Sequence, residues 1–91
     1  MNLTITNHTL EKLESILSSS DYKVRYEKGN FKTGACVLEN SRVVVINKFS
    51  NLENKIQGLA SLIQLLDIET ELLDDKQKQL LRILKQTNLK L

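Results

Sequence analysis

The chain has 91 residues, of which 41% are hydrophobic and 26% charged, with a net charge of +2. That is room for a single globular domain over residues 1–91 with an ordinary core, and not for two. The longest uninterrupted apolar runs, such as Val43–Ile46, reach only four residues, far short of the roughly 20 residues that cross a bilayer. A membrane-spanning helix is therefore excluded, and no membrane partner is expected.

The N-terminal segment MNLTITNHTL carries neither the basic nor the long apolar region of a secretory signal. A lone cysteine, Cys36, has no intrachain disulfide partner. Both features point to a reducing, cytoplasmic setting. The charge is uneven: net −1 over residues 1–20, +3 over 21–50 and zero over 51–91. The basic excess sits in the middle third. There is no proline, and no Gly/Ser-rich linker or internal repeat divides the chain.

Taken in chain order, Leu3-Thr4-Ile5-Thr6 alternates as a short leading strand would. Leu10, Leu13, Ile16 and Leu17 then recur at three- and four-residue spacing, one apolar stripe of a helix. Thr6 or Asn7 is placed to cap it, and Ser18-Ser19-Ser20-Asp21 to end it, since these side chains compete for backbone hydrogen bonds.

Residues 22–48 read as a three-stranded antiparallel meander. Lys28-Gly29-Asn30-Phe31 suits a two-residue hairpin turn, because Gly and Asn tolerate positive φ. That turn sets Tyr26 opposite Thr33, Val24 opposite Ala35 and Tyr22 opposite Val37. Glu39-Asn40-Ser41-Arg42 offers a second tight turn, with Glu39 facing Arg42, Val37 opposite Val44 and Ala35 opposite Ile46. Both turns bring Tyr22, Val24, Tyr26, Thr33, Ala35, Val37, Val44 and Ile46 to one face, and a one-residue slip would scatter that face.

Leu52, Ile56, Leu59, Ile63 and Leu66 form the seam of a second helix, with Ser50 and Glu53 as a capping box. A break is expected near Asp67–Thr70. A last helix over residues 75–87 would bury Leu80, Ile83 and Leu84, with Leu81 beside them. Asp74 and Asp75 at its start and Arg82 and Lys85 near its end suit the helix dipole. The expected fold class is α+β, in the order α-β-β-β-α-α, with about three helices packed on the aromatic face of the sheet.

The second face of that sheet is the main candidate site. It would carry Lys23, Arg25, Glu27, Lys32, Gly34, Cys36, Leu38, Val43, Val45 and Asn47. One side is basic and the other, Cys36, Leu38, Val43 and Val45, is apolar. A solvated face does not hold four neighbouring apolar residues without reason. A helix of the same chain, a second copy or a different protein would each cover them. The leading expectation is a non-enzymatic protein-interaction module, a candidate homodimer through this face or a strand edge. The alternative is a nucleic-acid contact made by Lys23, Arg25, Lys28, Lys32 and the hairpin-tip Phe31. Tyr22 and Tyr26 point to the opposite face and belong to the core.

Other features carry no chemistry. Gly29–Gly34 lacks the spacing of a phosphate loop and opens no helix. Asp67, Glu69, Glu71, Asp74 and Asp75 lack the ligand pattern of a calcium loop and suit a solvated turn. His8 and Cys36 are each alone, whereas a zinc site takes three or four ligands. Cys36, between Ala35 and Val37, reads as a small buried hydrophobe. No cofactor, metal or catalytic residue is expected.

The stretches YKVRYEKGNFKTGAC, from Tyr22 to Cys36, and VVVINKF, from Val43 to Phe49, together resemble a family of small bacterial proteins of unknown function. That resemblance spans residues 10–85 and implies a stand-alone cytoplasmic protein without assigning an activity. The strand ending at Asn47 and the helix after it are also similar to the strand–strand–helix start of zinc-peptidase domains. The helix from Ser50 to Leu66 holds no histidine, so only fold analogy carries over.

Overall fold

The computed structural model describes residues 3–28, 35–38 and 41–86. Helix α1 (Asn7–Ser19) is followed by strands β1 (Lys23–Glu27), β2 (Ala35–Val37) and β3 (Val43–Asn47). Helix α2 (Leu52–Leu65), a 3-10 turn (Thr70–Leu72) and helix α3 (Asp75–Gln86) follow among the described residues. The expected α+β class and element order hold. Residues 3–6, read as a leading strand, join no sheet among the described residues, and Thr6 serves as the cap of α1.

The sheet is mixed, and this corrects the antiparallel meander. Its spatial order is β1-β3-β2, with β1 parallel to β3 and β2 antiparallel to β3. The β2–β3 register matches the turn-length reading: Ala35 pairs with Ile46 and Val37 with Val44. The β1–β2 hairpin does not exist, because β3 lies between those strands. Val24 instead pairs with Val44, and Tyr26 with Ile46. The cause is burial. Val44, Val45 and Ile46 are all buried, so β3 has no solvated face or edge and takes the centre. The alternating, half-exposed β1 takes one edge.

Face assignments survive this change of partner, since either pairing keeps Val24 and Tyr26 on the side of Val44 and Ile46. The helices pack on that side. The core joins Leu10, Leu13, Ile16 and Leu17 of α1 with Val44 and Ile46 of β3 and with Ile56, Leu59, Ala60 and Ile63 of α2. Leu81 and Leu84 of α3 join the same core. Ile68 and Leu73 are buried in it too and pin the acidic link between α2 and α3, whose Asp67, Glu69, Glu71 and Asp74 are all exposed, as is Asp75 at the start of α3.

Local chemistry sets the helix ends. Thr6 caps α1 by accepting the Thr9 N–H at 3.1 Å. At its other end Asp21 takes a left-handed φ of 68°. The Tyr22 N–H reaches the Leu17 carbonyl at 2.9 Å and the Asp21 N–H the Ser18 carbonyl at 3.3 Å. Those two bonds define a Schellman C-cap. α2 is capped by Asn51, whose side chain accepts the Asn54 N–H at 2.8 Å, and not by Ser50. Glu53 binds Gln57 within the helix.

The buried stripe of α3 is also rotated from the expected one. Leu81 and Leu84 are buried, while Ile83 is 49% exposed. The stripe runs back through Gln77, whose amide donates to Ser15 Oγ and Ser19 Oγ of α1, each at 3.1 Å. A polar residue on the packed face hides the stripe from a reading based on apolar residues alone.

Candidate interaction surface

The basic strand β1 forms one edge of the sheet. Lys23 N–H binds the Arg42 carbonyl at 2.8 Å, and the Glu27 carbonyl accepts the Lys48 N–H at 3.1 Å. In a parallel ladder these bonds fix the phase: the backbone groups of Lys23, Arg25 and Glu27 face β3, and those of Val24 and Tyr26 face away. Among the described residues no strand lies on that outer side. On the side-chain faces, Arg25 Nη2 pairs with Glu27 Oε1 at 3.4 Å, both well exposed.

The predicted interaction residues divide into several settings. Lys23 and Arg25 are exposed on the second face, and Lys28 is exposed just beyond β1. Cys36 is a free thiol and only half-buried, which corrects its reading as a buried hydrophobe. Val43 is half-buried, Leu38 is 41% exposed and Val45 only 4% exposed. Arg25 and Cys36 flank Val45 in register. The open apolar area on this face therefore lies toward Leu38 and Cys36, and not at the central strand. Phe31 and Lys32, like the turn 29–34 and the Glu39 side of the proposed Glu39–Arg42 pair, lie outside the described residues.

Arg42 binds the end of α1. Its Nη2 donates to the Ser20 carbonyl at 2.6 Å and its Nε to the Asp21 carbonyl at 3.2 Å. The guanidinium lies 4.4 Å from the Tyr22 ring centroid. It thus ties the β2–β3 turn to the C-terminus of α1, where free carbonyls favour a cation.

A second cluster, which the sequence did not single out, sits where β1 and β3 end side by side. Phe49 is 67% exposed, with Lys48 Nζ at 5.4 Å and Lys28 Nζ at 6.0 Å from its ring centroid. The turn holding it is braced by the buried Asn47. Asn47 Oδ1 accepts the Phe49 N–H at 3.1 Å, and the Asn47 carbonyl accepts the Ser50 N–H at 3.0 Å. The sequence signal was present: an aromatic following Asn-Lys at a strand end has no apolar stripe to join.

On the helix-covered side, Tyr26 donates its hydroxyl to Glu14 of α1, and Lys55 Nζ of α2 lies 5.7 Å from its ring centroid. Partial burial, then the Glu14 hydrogen bond, then the Glu14 and Glu11 charges raise the Tyr26 pKa above its ordinary value. Among the described residues no group of three His, Cys, Asp or Glu side chains is placed to hold a metal ion, and no helix is long and apolar enough to cross a membrane. Comparison with protein-family models, with curated proteins and with solved structures gives no match to this chain.

Proposed function

We propose that the protein is a non-enzymatic protein-interaction module, cytoplasmic in setting, that associates with itself through its sheet. The observation that carries this reading is the outer edge of β1. It is a five-residue strand with the backbone groups of Val24 and Tyr26 unpaired among the described residues. Such an edge is a template for pairing with another strand. Light scattering across a micromolar dilution series tests it. A mass of two chains at the upper end, falling to one on dilution, is the expected result. A single-chain mass throughout would overturn it.

Phe49 favours a second reading, a nucleic-acid-binding accessory role. An exposed ring with two ammonium groups close by suits stacking a base while neutralising phosphate. Fluorescence anisotropy with a short labelled single strand tests this. Binding at low ionic strength that weakens with salt and is lost in Phe49→Ala supports it. Equal binding by Phe49→Ala removes the platform from the account.

A further inference from the structure

The residues of β1 read Lys23-Val24-Arg25-Tyr26-Glu27, and this segment is complementary to itself when reversed. We infer that the partner at the β1 edge is a second copy of β1, antiparallel and related by a twofold axis through Arg25. The inference rests on the self-association reading above and adds its register.

Three observations carry it. The first is hydrogen-bond phase. Pairing centred on Arg25 sets Val24 opposite Tyr26 of the second copy, and the converse. These are the residues whose N–H and C=O groups face outward, so all four groups on each strand edge find partners. Registers offset by one residue would set outward groups against inward ones.

The second is charge. The same register sets Lys23 opposite Glu27 of the second copy at both ends of the ladder, and opposite charges across strands attract. Moving the axis to Val24 places Lys23 against Arg25, two like charges. Moving it to Tyr26 sets Arg25 against Glu27, also opposite charges, but shortens the ladder to three residues and leaves Lys23 and Val24 past the end of the paired strand. Arg25 meets its own copy at the axis, with each guanidinium held by Glu27 of its own chain at 3.4 Å.

The third is the apolar pair. Val24 against Tyr26 is a β-branched–aromatic contact of the kind that stabilises neighbouring strands, and Tyr26 is 43% exposed in the single chain. The product is one six-stranded sheet, two copies of a three-stranded sheet, with the helices of both copies on the same side.

Charge reversal and cross-linking of the full chain test the register. Lys23→Glu alone should raise the dimer dissociation constant about tenfold, and Lys23→Glu with Glu27→Lys should restore it. At the axis the two Cα atoms would lie about 4.5 Å apart, within disulfide range. Arg25→Cys in a Cys36→Ser background should therefore form a disulfide-linked dimer on mild oxidation, whereas Lys23→Cys in that background should not. A wild-type chain that is a monomer throughout overturns both the self-association reading and this one. A wild-type dimer unaffected by Lys23→Glu, or Arg25→Cys that does not cross-link, overturns the register alone and leaves association through another surface.

Discussion

Asp74 and Gln77 cap each other across the first turn of α3. Gln77 Oε1 accepts the Asp74 N–H at 2.9 Å, and Asp74 Oδ1 accepts the Gln77 N–H at 2.8 Å. The same Gln77 amide donates to Ser15 and Ser19 on α1. One side chain therefore starts a helix and docks it. Replacing a cap costs about 1 kcal/mol, and each lost hydrogen bond about 1 kcal/mol. Gln77→Leu should lower stability by roughly 2–3 kcal/mol, read as a fall in urea midpoint at unchanged slope. A loss as small as that of an exposed α3 substitution such as Lys78→Ala would show that the docking bonds contribute nothing.

The junction between α1 and β1 gives a backbone prediction. Asp21 holds its left-handed φ inside the Schellman cap, a conformation that β-branched residues resist. Asp21→Val should cost about 1–2 kcal/mol. Asp21→Gly should stay within about 0.5 kcal/mol of the parent, because glycine adopts this φ freely and the Asp21–Arg42 ion pair is long and exposed. Thermal melts of the two variants decide this. Equal losses would mean that the Asp21 side chain, and not its backbone angle, matters.

How far the sequence revealed the molecule follows from which signals are local. The α1 stripe, its Thr6 cap and the Ala35–Ile46 register all depend on residues a few positions apart, and all are legible. The partner of β1 is not, because pairing with β2 or with β3 places Val24 and Tyr26 on the same face. One clue existed: Val43–Ile46 lacks alternation, as a central strand does, whereas Lys23–Glu27 alternates as an edge does. The capping pair Asp74–Gln77 was also readable from its spacing, yet the acidic pair Asp74-Asp75 suggests only a dipole effect. Of the Phe49 cluster only the unplaced aromatic was readable; the approach of Lys28 to its ring was not, because it depends on β1 and β3 ending side by side.

Tyr26 makes stability depend on alkaline pH. Burial and Glu14 raise its folded pKa above the ordinary value near 10. The folded state thus holds a proton that the unfolded chain releases. The stabilising contribution is complete below pH 10 and is lost as pH rises through the folded pKa. Denaturant midpoints measured from pH 8 to 11.5 should therefore fall more steeply above pH 10 for the parent than for Tyr26→Phe. Glu14→Gln should lie between them, because burial still acts when the carboxylate is gone. Parallel curves for the parent and Tyr26→Phe would remove Tyr26 as the cause.

Ser61 lies on the packed side of α2, 8% exposed, and its Oγ makes no hydrogen bond among the described residues. A buried hydroxyl without a partner loses its hydration and gains nothing in return. Alanine is also the better helix former at such a position. Ser61→Ala should therefore raise stability by about 1 kcal/mol, in contrast to the usual loss on mutating a buried residue. Ser20 offers the comparison. Its Oγ is equally unpartnered among the described residues and fully buried, but it sits at the C-cap of α1, outside the helix. Ser20→Ala thus relieves the hydroxyl without the helical gain, and its increase should be the smaller of the two. A destabilised Ser61→Ala would show that the hydroxyl is satisfied in solution and is part of how α2 packs.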